Sequence, residues 1–75
     1  LATVLAPDVR VNCVSPGGVW RNQPEPFVKR FESRTPMKRM QKEEDLKGII
    51  AYLASDMSEY VTGQHFPVEG GWSAW

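Results

Sequence analysis

The chain has 75 residues, 41% of them hydrophobic, and nine basic side chains balance nine acidic ones to a formal charge of zero. This places it among soluble globular proteins of one domain at most. It argues against a nucleic-acid or membrane-surface partner recognised by bulk charge, because Lys and Arg are interleaved with Glu and Asp.

No apolar run approaches the roughly 20 residues needed to cross a bilayer, and no charged start followed by an apolar stretch marks a signal peptide. Cys13 is the lone cysteine, so there is no intrachain disulfide and no Cys-rich metal site; a reducing, cytoplasmic setting is expected. The opening letters LATVLAP, starting at Leu1, read as the last turns of a helix. A fragment that leans on missing neighbours is therefore expected.

In chain order, Leu1, Val4 and Leu5 share a helical face that Pro7 and Asp8 end. Val9, Val11, Cys13 and Val14 predict a largely buried strand over residues 9–14, with Cys13 as a small buried hydrophobe. Pro16, Gly17 and Gly18 close it. A proline-containing loop over residues 21–25 leads into a short helix whose Phe27, Val28 and Phe31 share one side, stopped by Thr35 and Pro36.

Leu46, Ile49, Ile50 and Leu53 stand at i, i+3, i+4 and i+7 and predict an amphipathic helix over residues 43–55, with Glu43, Glu44 and Asp45 favoured in its first turn by the helix dipole. Gly48 inside it costs about 1 kcal/mol relative to Ala, which a close approach of another backbone would explain. Residues 64–69 predict a second strand, and Pro67 assigns it to a sheet edge because one ladder donor is missing. Strand, helices and strand form a crossover that implies parallel strands and an α/β fold.

Three separated stretches, LAPDVRVNCVSPGGV, TPMKRMQKEEDLKGIIAYLASDMSEYVTGQ and FPVEGGW, follow one another in an order and spacing that resemble the C-terminal part of the short-chain dehydrogenase/reductase family. The resemblance covers essentially the whole chain. It implies the C-terminal part of a doubly wound, Rossmann-like parallel sheet, namely its last two strands with crossover helices, all of residues 1–75 belonging to one NAD(P)-binding domain and residues 20–42 to the variable substrate loop. Ligands sit beyond the carboxyl ends of parallel strands, so Pro16, Gly17, Gly18 and Val19 are the expected cofactor-side residues. Glycine admits positive φ and carries no Cβ, which lets the backbone approach a flat ring. By resemblance, Pro16 and Gly17 shape the turn beside the nicotinamide of NAD or NADP, and Val19 offers backbone hydrogen bonds to its carboxamide.

The family's GxxxGxG phosphate loop and YxxxK catalytic pair have no counterpart in these residues. No catalytic residue is therefore assigned to the chain, and alone it is expected to be inactive. The parent is expected to interconvert a secondary alcohol and a ketone, a small-molecule substrate of sugar-like or other polar character. Arg21 stands where the family often has a cofactor-holding threonine; it faces a phosphate, an acidic substrate or solvent. Glu43 and Glu69 replace the usual Pro and Asp.

Trp20, Phe27 and Phe31 are candidate substrate-binding residues; with Val28 they either line a substrate pocket or pack a small core of the lid. Met37 and Met40 flank Lys38 and Arg39 in a segment read as a solvated loop, with a substrate lid as the other reading. His65 lacks partners at metal-ligand spacing and is read as structural, and Thr62 and Gln64 as satisfying backbone groups in a turn. A homotetramer through the long helix and last strand is implied by the resemblance, with Trp72 and Trp75 expected at a subunit interface. The rival reading is a stand-alone interaction module that uses exposed aromatic residues and has no catalysis.

Overall fold

Two short strands, β1 (Cys13–Pro16) and β2 (His65–Val68), lie side by side in parallel, with Cys13 opposite His65 and Pro16 opposite Val68. The computed structural model describes residues 1–74. Before β1 comes one helical turn, α1 (Ala2–Leu5); between the strands run α2 (Glu25–Arg34) and α3 (Glu44–Ala54), followed by a 3-10 turn, Asp56–Ser58. The crossover expected from the alternating pattern is therefore present.

Each helix stops for a local reason. In α2, Pro26 sits in the first turn, where its missing N–H costs nothing. At the other end, Thr35 is extended as the residue before a proline requires, and both its N–H and its Oγ1 donate to Phe31 O, at 3.0 and 2.8 Å. Asp45 carries the start of α3, accepting from the Lys42 N–H at 2.8 Å. The far end of α3 is covered by Arg10. Its guanidinium donates to Leu53 O and Ser58 Oγ at 3.0 Å each, and to Ser55 O and Val61 O at 3.4 Å. Placing a cation at the carbonyl end of a helix is electrostatically favourable.

The first strand is shorter and later than the apolar run predicts, starting at Cys13 instead of Val9. The segment running past residues 9–12 is a turn with Gly63 at φ 70°; one main-chain bond, from Gly63 N–H to Val11 O at 2.8 Å, joins the two, and side chains supply the further bonds. Thr62 Oγ1 accepts from Val11 N–H at 3.0 Å, and Asn12 spans the gap by donating to Val61 O and accepting from Gln64 N–H. Thr62 thus satisfies a backbone donor, and Gln64 Nε2 donates to Thr62 O at 3.2 Å.

Three further expectations are corrected. Cys13 is exposed, because in β1 its side chain stands on a face that none of the described residues covers. A Cβ at Gly48 would meet nothing within 4 Å, so among the described residues no backbone approaches it. Met40 is buried at 5% relative exposure, so only Met37, Lys38 and Arg39 of that segment are solvated.

Among the described residues, those buried besides Met40 are Thr35, Gln41 and Ser58, all polar, and no residue of α3 is buried. The radius of gyration is 15.3 Å, against about 11 Å for a compact globule of this length. The chain therefore holds its shape through hydrogen bonds along a seam, and its apolar surfaces, Ile50 and Val9 among them, face outward.

Candidate cofactor-side site

Both strands end at the same edge, and two glycine-containing turns leave it together: residues 17–19 after β1 and residues 69–71 after β2. Gly17 N–H donates to Val68 O at 2.9 Å, which continues the ladder one step beyond the strands. Neither Gly17 nor Gly18 has positive φ. Their lack of a side chain answers to packing: a Cβ on Gly17 would stand 2.9 Å from Glu69 Cα, and one on Gly18 would overlap the Phe31 ring. Positive φ falls instead on Gly70 and Gly71, at 64° and 88°, where the second turn reverses and Gly70 O accepts from Met37 N–H at 3.1 Å.

Gln41 joins the first turn from the other side. It forms a parallel bridge with Val19, in which Gln41 N–H donates to Gly18 O at 2.8 Å and Gln41 O accepts from Trp20 N–H at 2.9 Å. Its Oε1 also accepts from Gly17 N–H at 2.7 Å. A bridge of this kind engages the groups on either side of Val19 and directs Val19's own N–H and C=O away from Gln41. The outward C=O takes a hydrogen bond from Gln23 Nε2 at 2.9 Å.

Next to Gln41 the chain is pinned by a two-pronged ion pair. Arg39 Nη1 and Nη2 donate to Asp45 Oδ2 and Oδ1 at 2.7 and 2.9 Å. These bonds, with that from Lys42 N–H, hold the Asp45 carboxyl down at about 2, against an ordinary 3.8, and the same pair raises the Arg39 guanidinium. Among the described residues no group of three His, Cys, Asp or Glu side chains could hold a metal ion.

The candidate residues fall into two groups. Pro16, Gly17, Gly18 and Val19 are contiguous at the strand ends, with Phe31 against Gly18 lining a cavity of about 230 Å³ that Gln41, Arg39 and Val68 share. Phe31 continues outward into an aromatic row, stacked on Trp72 at 4.9 Å between centroids and on Phe27 at 6.4 Å. Trp20 is not in that row; it lies with Val28, Glu32 and Met40 in a separate cleft. Trp72 is 41% exposed, and Trp75 lies outside the described residues. His65 Nε2 lies 2.6 Å from Ser15 Oγ across the strand pair. Sequence reasoning missed Gln41 and Arg10. Arg10 had one signal, a cation set between apolar positions of a strand-like run, whereas nothing in the local pattern marks Gln41.

Residues 1–73 match the sequence family described as enoyl-(acyl carrier protein) reductase, and the chain belongs to the short-chain dehydrogenase/reductase family. The parallel strands with flanking helices are its Rossmann-like architecture. A short-chain dehydrogenase from Leptospira borgpetersenii, solved with bound NAD+, superposes with a TM-score of 0.92 at 44% identity, covering 96% of this chain and 29% of that one. Tropinone reductase-like 3 of Erythroxylum coca is 40% identical over 95% of this chain and 30% of its own length. Cyclohexanol dehydrogenase of a Rhodococcus species is 39% identical over 95% of this chain and 28% of its own length. The chain thus spans under a third of the length of these relatives. No helix among the described residues is long and apolar enough to cross a membrane.

Proposed function

We propose that this chain forms the nicotinamide-side loop and part of the substrate lid of an NAD(P)-dependent oxidoreductase that interconverts a secondary alcohol and a ketone. The observation that carries this reading is the outward-facing N–H of Val19, placed just beyond the carboxyl ends of two parallel strands, where the fold binds its ligands. When bound, the dinucleotide supplies hydride transfer to or from the carbon bearing the oxygen. Residues 16–19 would hold it: Val19 N–H is a donor for the carboxamide, kept in place by the bond from Gln41 N–H to Gly18 O in the same peptide unit and, one peptide back, by Gly17 fastened to Val68 O and Gln41 Oε1. Phe31 and Phe27 in the aromatic row, and Trp20 in its separate cleft, supply the apolar surface of the substrate lid.

NAD is favoured by the relative solved with NAD+. The names of the tropinone reductase-like and cyclohexanol dehydrogenase relatives support the ketone and secondary-alcohol class. A homotetramer through α3 and β2 belongs to the same reading, supported by exposed Ile50 and Tyr52 on α3. So does a reducing, cytoplasmic setting for the lone Cys13.

The test is an amide-resolved NMR titration of the intact protein containing this chain with NAD+ and, separately, NADP+. Shifts at Gly17, Gly18 and Val19 that saturate with one dinucleotide are expected. Saturable binding that leaves these three amides unmoved would sink the assignment of the loop, and no binding of either dinucleotide would sink the oxidoreductase reading.

A further inference from the structure

Gln41 makes three hydrogen bonds to the stretch from Gly17 to Trp20, and two of them are main-chain bonds that any residue but proline could make. Only the third, from Gly17 N–H to Oε1 at 2.7 Å, depends on a side chain with an acceptor at that reach. Gly17 N–H already has a backbone partner in Val68 O at 2.9 Å, so it is not an orphan donor that needed rescue. The second acceptor instead adds direction: a donor shared between two fixed oxygens holds its peptide plane against rotation in a way one oxygen does not.

The support behind Gln41 is stiff. It is itself 9% exposed, Met40 beside it is the one buried apolar residue among the described residues, and Arg39 donates both to Met40 O at 3.1 Å and to the Asp45 carboxylate. Asp45 in turn accepts from Lys42 N–H, so the residues on both sides of Gln41 are tied to the start of α3. A displacement of the segment over residues 37–42 would therefore be felt at Gly17, and two residues later at Val19.

We infer that Gln41 is a positioning residue for the nicotinamide-side loop: its Oε1 orients the Gly17 peptide at the start of the turn, while its own N–H, bonded to Gly18 O, fixes the next peptide, whose Val19 N–H faces the cofactor. This deepens the reading under Proposed function and rests on it.

The test compares Gln41→Met, a linear side chain of similar bulk without the oxygen, with Gln41→Glu, which keeps an acceptor at the same reach, both in the intact protein. Losing one hydrogen bond of ordinary strength should speed hydrogen exchange at the Gly17 amide about fivefold and shift dinucleotide KM and kcat together by a similar factor. Gln41→Glu should bring both back to within about twofold of the parent. Unchanged Gly17 exchange in Gln41→Met would overturn the inference, as would faster exchange with unaltered kinetics. If the intact protein turns over no alcohol or ketone with either dinucleotide, the oxidoreductase reading fails, and the exchange measurement alone decides whether Gln41 orients the loop.

Discussion

The ring of Phe31 fills the space that a side chain on Gly18 would need, and the same ring is stacked on Trp72. Gly18→Ala should push Phe31 off Trp72 and destabilise the protein by about 1–3 kcal/mol, the usual cost of overpacking. Gly17→Ala should cost more, because its Cβ would meet the Glu69 backbone at 2.9 Å, and backbone yields less readily than a ring tip. Urea unfolding of the intact protein checks both, and a Gly18→Ala/Phe31→Leu double variant should recover part of the first loss.

Arg10 covers the carbonyl end of α3 with four donor contacts, so Arg10→Met should remove a helix-end charge together with its hydrogen bonds. A loss of about 1.5–3 kcal/mol is expected for hydrogen bonds to a charged group. Arg10→Lys should recover little, since a single ammonium cannot reach carbonyls that a planar fork spans. Thermal unfolding measures the size, and hydrogen exchange localised to residues 53–58 shows where it acts.

The Arg39–Asp45 pair predicts an acid limit. Because the Asp45 carboxyl is lowered from 3.8 to about 2 on folding, its contribution is complete above pH 4 and is lost as pH falls towards 2. Carboxyl NMR should show Asp45 titrating near 2, and Arg39→Met should move that midpoint up towards the ordinary carboxylate value. The pair is partly exposed, so raised salt should weaken it in the same direction.

Trp20 and Phe31 should respond differently to truncation. Trp20 is 52% exposed and outside the aromatic row, so under the proposed alcohol–ketone activity Trp20→Ala should leave stability nearly unchanged while raising KM for the alcohol about tenfold. Phe31→Ala should instead lose at least the ~0.5–1.5 kcal/mol of a stacked pair in stability. Steady-state kinetics beside urea unfolding separate the two, and the opposite pattern would assign the lid core to Trp20.

Much of the architecture was legible where periodicity is strong. Leu46, Ile49, Ile50 and Leu53 mark α3, Thr35 and Pro36 mark the end of α2, and the ordered motifs mark the family. The start of β1 was not legible: Val9 and Val11 are as strand-like as Val14, but a ladder needs a partner strand, and the chain passing them is a turn that makes one main-chain bond, Gly63 N–H to Val11 O, and further bonds through the side chains of Thr62 and Asn12. Cys13 and Gly48 failed for the same reason, since burial and close approach belong to neighbours that local sequence does not name.

The glycines of NCVSPGGVW show where the division falls. Residue order alone determined that a strand ends in a turn without side chains, because apolar alternation followed by Pro16, Gly17 and Gly18 permits little else. Only the tertiary structure decided why those side chains are absent, through Glu69 against Gly17 and Phe31 against Gly18. It also brought in Gln41, which is 24 residues from Gly17 along the chain. A hydrogen bond over that span is set by how β1, β2 and the start of α3 converge, and local sequence patterns carry no record of that convergence.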